Sequence, residues 1–269
     1  MRKRNKTDEL AIQKASYGVD GLKKWVIDLF YGRASQNYRL PDEIFELWLA
    51  EVIGAYEKAR NHGDRQRIMH KILHTREVVE AGMDIMEGEK EFDWDRYQVV
   101  SVCLLHDLAR FRQALLGAFS DEKTNFNHAE EGAKMIEKTE WAPLRYLGLD
   151  QRVIAEAVRH HSRMKYLGDD PYVKLTRDAD KLALLRYMPY LIKEDAYPKG
   201  GVSSKVLTDF KKGLMVKNDD RITRADIYVS WACWESDLFY RETKDRYVNE
   251  GIKTWIYEAL KEMTGEDLI

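Results

Sequence analysis

Seven histidines are spread along the chain: His62, His70, His74, His106, His128, His160 and His161. An imidazole can hold a transition metal, pass a proton or simply hydrogen-bond, and one alone on a helix most often does the last. His106 is the informative one. Asp107 follows it directly inside VSVCLLHDLARF (residues 100–111), a run that is apolar up to the pair but for Ser101. An unpaired charge is costly to bury, so a carboxylate in those surroundings must be neutralised, paired or bound to a metal. His70 and His74 stand at i and i+4, a spacing that can hold a metal on one helix face. His160 and His161 are adjacent, so on a helix they point about 100° apart. One is expected inward and the other at the surface or behind the first, and His160 is the better placed. His62, in RNHGDR, reads as solvated. Asp178 precedes Asp180 by two residues and points elsewhere on its helix, where a salt bridge with Arg177 or a neighbour is expected.

Such groups need a rigid frame, and the frame reads as helical. Five prolines and sixteen glycines punctuate 269 residues, and strand-like alternation is nearly absent, so the fold class is all-α. Helices are expected at 21–32, from Pro41 through DEIFELWLAEVIGAYEKA, and over 65–89. Asp93 is read as the cap of the helix that carries VVSVCLL into His106 and Asp107. Asn127 with Glu130 resembles a capping box that puts His128 in a first turn. Residues 152–164 and 173–192 form two more helices, the second with Asp180 at its middle. After a KGGVSS loop come VLTDFKKGLM, the aromatic ADIYVSWACWESDLFYRE and IKTWIYEALKEM. One domain over 1–269 is expected: a core at about 42–195, an N-terminal helical cap at 1–41, and C-terminal helices at 200–269 packing back on the core.

HTREVV, VCLLHDLARF, NHAEEGAKMI, IAEAVRHHS and TRDADKLALL follow one another over residues 70 to 187. A bare His-Asp dipeptide is weak evidence, but this ordered series resembles the HD superfamily of metal-dependent phosphohydrolases, whose pattern is H…HD…H…HH…D. The resemblance implies that His74, His106, Asp107 and Asp180 hold one metal. In two-metal members further histidines join, and His128, His160 and His161 stand where those would, with Asp107 bridging. The match therefore favours a binuclear site. Imidazoles with carboxylates suit divalent Fe, Mn, Zn, Co or Ni.

The chemistry so implied is hydrolysis of a phosphate ester, a nucleotide or another small phosphorylated substrate, by a water that the metals deprotonate. Charge developing on phosphorus needs further cations. Arg110, one turn past His106, and Lys181, next to Asp180, are the expected ones, with Arg76 and Arg163 as weaker candidates. Asp107, Arg110 and Lys181 are thus the catalytic candidates. Three branches of the superfamily fit less well. No Glu follows the His-Asp pair in LARFRQ, no Gly-Tyr-Pro follows HHS, and the acidic pair of the alarmone hydrolases is missing. On the same scaffold the alternatives are a mixed-valent di-iron oxygenase, or a non-catalytic ligand-binding regulatory module. Against the second, every motif position holds a competent ligand.

With 44 basic against 46 acidic residues, neither nucleic acid nor an anionic membrane is expected as the main partner. The basic MRKRNK opening lacks the apolar run of a secretory signal, and no segment is long enough to span a bilayer. Cys103 and Cys233 cannot build a disulfide framework, so a reducing cytoplasm is the expected compartment. The aromatic C-terminal helices have two expected uses, a lid over the pocket or the contact of a homodimer.

Overall fold

The structure, a computed structural model, describes residues 18–32, 40–138, 143–191 and 197–265. The basic opening and much of the expected N-terminal cap (1–17 and 33–39) lie outside the described residues. Among the described residues all regular structure is helical. In chain order these are α1 (Val19–Tyr31), α2 (Asp42–Lys58), α3 (His62–Gly88), α4 (Arg96–Leu105), α5 (Arg110–Ala114), α6 (Asp121–Thr124), α7 (His128–Glu137), α8 (Pro143–Tyr146), α9 (Gln151–His160), α10 (Pro171–Leu191), α11 (Ser204–Lys211), α12 (Arg224–Cys233), α13 (Arg241–Asn249) and α14 (Ile252–Thr264).

The long helix α3 is the axis of the assembly. Ile68, Met69, Ile72, Leu73, Val78, Val79, Ala81, Met83 and Ile85 are all buried, more than one amphipathic stripe can account for. The surplus follows from its neighbours: α4, α10, α2 and α13 all pack on it. Helix α9 packs on α7 and α10 and reaches α4. Two glycines permit this closeness. A Cβ on Gly82 would collide with Cys103 Sγ, so α3 and α4 approach only because position 82 is bare. A Cβ on Gly132 would press on Val158, where α7 meets α9.

Side-chain caps fix where the helices begin. Asn61, Asn127 and Asp150 accept from the backbone amides of Asp64, Glu130 and Val153, satisfying donors that a helix start leaves open. The cap before α4 is Asp95, which accepts from Gln98 N, and not the expected Asp93. Trp94 packs among Phe92, Tyr172 and Tyr240, and this keeps the residues before Asp95 out of the helix. The helix expected over 152–164 stops at His160. The aromatic stretch expected as one helix divides into α12, a 3-10 turn (Trp234–Asp237) and the start of α13. Its rings go into the chain's own core: Tyr228, Trp231 and Tyr240 are buried, with Trp231 stacked on Trp255. The KGGVSS loop is tied to α12, because Ser203 N donates to Asp226 and Thr223 Oγ1 donates to Gly201 O.

The division has a cause in α10. Asp178 carries no salt bridge to Arg177. Its carboxylate accepts the backbone amides of Phe239 and Tyr240 instead, at 2.9–3.0 Å. Burial pushes this carboxyl up to about 6, against the pull of those amides. Arg177, the residue before it, and Lys181, about one turn after it, both pair with Asp237, at 2.6 and 2.7 Å. A chain bound at residues 237, 239 and 240 cannot continue as helix there.

Candidate metal centre

Helix α4 delivers His106 and Asp107 at its very end. His106 Nδ1 donates to Cys103 O at 2.7 Å, the carbonyl that would otherwise accept from Asp107 N in the next turn. Regular helix accordingly stops at Leu105, and a turn carries the pair to α5. The end of α9 repeats this. His161 Nδ1 donates to Val158 O at 2.7 Å, and the helix stops at His160. In both places a ring proton is spent on the backbone and the ring's Nε2 is left as a lone pair.

His128, first residue of α7, is oriented by an acid. Its Nδ1 donates to Asp121 Oδ2 at 2.7 Å. Gln113, fully buried, donates to Asp121 Oδ1, Thr124 Oγ1 and Phe126 O, and so holds the segment that presents both residues. Such outer partners set the tautomer and the aim of a ligating imidazole. Burial pushes the Asp121 carboxyl up, but the bond from His128, the Arg110 charge and Gln113 outweigh it and hold it below its usual range. Burial is the largest influence on His74 and His128 and lowers each to about 4, so both rings are neutral near pH 7.

Two clusters result. His74 on α3, His106 and Asp180 on α10 form one; Asp107, His128 and His161 form the other. In the first, His74 Nε2 lies 3.3 Å from His106 Nε2 and 3.0 Å from Asp180 Oδ1, and that oxygen is buried without a hydrogen bond. In the second, His128 Nε2 and His161 Nε2 face each other at 3.3 Å. Both rings have already donated from Nδ1, so two lone pairs point at one another. Asp107 stands between the clusters. Its Oδ2 is 3.4 Å from His106 Nε2 and 3.8 Å from His74 Nε2. Its Oδ1 is 3.5 Å from His161 Nε2 and 3.6 Å from His128 Nε2. Facing lone pairs and carboxylate oxygens repel unless a cation lies among them, so the donor set of each cluster is of the kind that could hold a metal ion.

Of the seven residues expected as ligands, the structure brings six together. The seventh, His160, is turned outward: its Nε2 donates to Glu156 at 3.0 Å and its ring lies against Tyr166. The preference for His160 over His161 is therefore reversed. His161 wins because its Nδ1, three residues beyond Val158, can reach back to the helix end and hold the ring inward. His70 is half-buried and His62 exposed, both outside the clusters.

The expected cations are engaged elsewhere. Arg110 Nη1 donates to Phe119 O at 2.7 Å, to Asp121 at 3.1 Å and to Gln113, while its Nε stays 3.5 Å from Asp107 Oδ1. Its charge thus bridges Asp107 and the acid that aims His128. Lys181 is buried and turned to the C-terminal segment, where it meets Asp237. It cannot share the direction of Asp180, because neighbours on a helix diverge. Arg76 pairs with Glu80, and Arg163 contributes its carbonyl to Arg177.

The cation nearest to the centre is one the motif does not mark. Lys71 Nζ donates to Asp107 Oδ2 at 2.6 Å. Its only signal in the sequence is its place one helical turn before His74. Arg177 is a second such residue. Its guanidinium, only 1% exposed, donates to the carbonyls of His160, His161 and Arg163, closing the open end of α9 beside His161.

The model of one protein family, the HD domain, matches residues 72–185. That span contains all six converging residues. No curated protein and no solved structure matches the chain.

Proposed function

We propose, from the match of residues 72–185 to the HD-domain family model, that the protein is a binuclear metal-dependent phosphohydrolase acting on a small phosphate ester. The HD domain itself implies the metal-dependent phosphohydrolase superfamily at a coarser level. The observation that carries the finer reading is Asp107, with one oxygen toward His74 and His106 and the other toward His128 and His161. A single-metal centre would leave the His128–His161 pair with facing lone pairs and nothing between them.

The residues that would hold the metals are His74, His106 and Asp180 on one side and His128 and His161 on the other, with Asp107 common to both. The ligand chemistry suits Fe, Mn, Zn, Co or Ni. Such ions supply Lewis acidity toward phosphoryl oxygens and lower the pKa of water. The chain supplies the rest. Carbonyls 103 and 158 and the Asp121 carboxylate fix three imidazoles in the tautomer that presents Nε2. Arg110 binds Asp107 and Asp121 into one unit. Burial of these groups keeps water from competing for their charges.

The test is elemental analysis of protein purified without chelators or a metal-affinity tag, followed by an assay of phosphate release from nucleotides and simple phosphomonoesters. About two transition metals per chain and a metal-dependent release are expected. Asp107→Ala should lose both metals and the activity while keeping its helical circular dichroism. No metal after reconstitution with Mn, Fe, Ni and Zn would overturn the reading. So would iron with consumption of dioxygen and no phosphate release.

A further inference from the structure

Lys71 is the cation at this centre that hydrogen-bonds Asp107 directly and still has protons to donate. It stands one turn before His74 on α3, on the same helix face, so it is aimed at the same opening. Its single hydrogen bond at the centre goes to Asp107 Oδ2. An ammonium has three protons, so two remain to donate. Arg110 has committed Nη1 to Phe119 O, Asp121 and Gln113, and its Nε, without a hydrogen bond, lies 3.5 Å from Asp107 Oδ1 as a second cation behind Lys71. Lys71 is also the outer residue of the pair: its side chain is 16% exposed and that of Asp107 4%. A ligand reaching Asp107 from solvent therefore meets the ammonium on the way. Lys71 Nζ lies 5.2 Å from the centroid of the half-buried Phe119 ring, and the Arg110 guanidinium lies 5.9 Å from the same ring. This makes a small site with two cationic walls and one aromatic wall.

The Asp107 oxygen that Lys71 holds is also the one that faces His74 and His106. Positive charge bound between those imidazoles repels an ammonium on the same oxygen. The flexible four-carbon stem of lysine lets Nζ move to another acceptor within reach. We propose that Lys71, backed by Arg110 and walled by Phe119, is the substrate-binding residue that takes an anionic phosphoryl oxygen beside Asp107. The substrate would therefore present a charged phosphate group there and not a neutral ester. This rests on the phosphohydrolase reading above.

The experiment is calorimetric titration of inorganic phosphate into metal-loaded protein, for wild type, Lys71→Met and Lys71→Arg, with metal content measured on each sample. The expected result is that Lys71→Met keeps both metals but binds phosphate at least about tenfold more weakly, with Lys71→Arg in between, as loss of a hydrogen bond to a charged group predicts. Unchanged phosphate affinity in Lys71→Met would overturn the role of Lys71 and leave the phosphohydrolase reading standing. Loss of metal in Lys71→Met would overturn it also, since Lys71 would then only support Asp107. If wild type holds its metals and binds no phosphate, the phosphohydrolase reading falls and the role of Lys71 falls with it.

Discussion

At the scale of single residues, the adjacent pair His160 and His161 separates what spacing can decide from what it cannot. Spacing says that the two rings diverge. It does not say which one faces inward, because that depends on where α9 ends, and α9 ends where His161 reaches back to Val158 O. His160 is left to Glu156 on the outside. The expected outcome is that His161→Ala loses one of two metals while His160→Ala keeps both, as read by elemental analysis of the purified variants. Lys71 was illegible for another reason. A lysine on a helix is most often solvated, and nothing near it in sequence shows that Asp107, 36 residues away, folds against it. The six converging residues were legible because the motif lists them in order, whereas the groups that aim them are backbone carbonyls and an acid, Asp121, at the start of the short helix α6.

At the scale of elements, hydrophobic periodicity gave the long helices to within a few residues, α3 and α10 among them. It did not give their interruptions. Apolar spacing runs on past Leu105, and the helix stops there because a histidine side chain takes the carbonyl that the next turn needs. The stretch 225–242 likewise looks like one amphipathic helix until Asp237 is claimed by Arg177 and Lys181, and the amides of 239 and 240 by Asp178. Both are side-chain interactions with backbone or with distant residues, outside the reach of a local pattern. Arg177 lets this be tested. It neutralises the carbonyl end of α9, where the helix dipole is negative, and it does so beside His161. Arg177→Met is expected to cost about 3 kcal/mol in urea unfolding, the scale for breaking a buried ion pair. At partial metal loading it should empty the His128–His161 cluster before the other. A cobalt absorption titration reads that order.

At the scale of the whole molecule, the centre gathers side chains from helices α3, α7 and α10 and from the ends of α4 and α9, so its charges bear on the stability of the entire fold. Asp107, Asp121 and Asp180 are all held below the usual carboxylate range. In the unfolded chain they would take up protons first as pH falls, so the stability they contribute is present above about pH 4 and lost below it. Between pH 6.5 and 4 the shifts oppose one another unequally. His74 and His128 are lowered, which favours the unfolded chain as pH falls, while Asp178 is raised, which favours the folded one; the raised His106 acts only above pH 6.5. The metal-free protein should therefore show a urea midpoint that declines gradually from pH 6.5 to about 5, two histidines outweighing one carboxyl, and falls further below about pH 4 as the lowered carboxylates are protonated. The all-α class was readable from composition and punctuation alone. Which surfaces of those helices meet was not, since that follows from close approaches such as Gly82 against Cys103. One such meeting has a mechanical consequence. Asp178 and Asp180 lie about 200° apart around the axis of α10, and the first is bolted to the amides of Phe239 and Tyr240. A roll of α10 by about 5° would carry a carboxylate ~6 Å from the axis through about 0.5 Å, the whole tolerance of a metal site. Among the described residues those after α10 supply no ligand, yet they act as the detent that sets the angle of one.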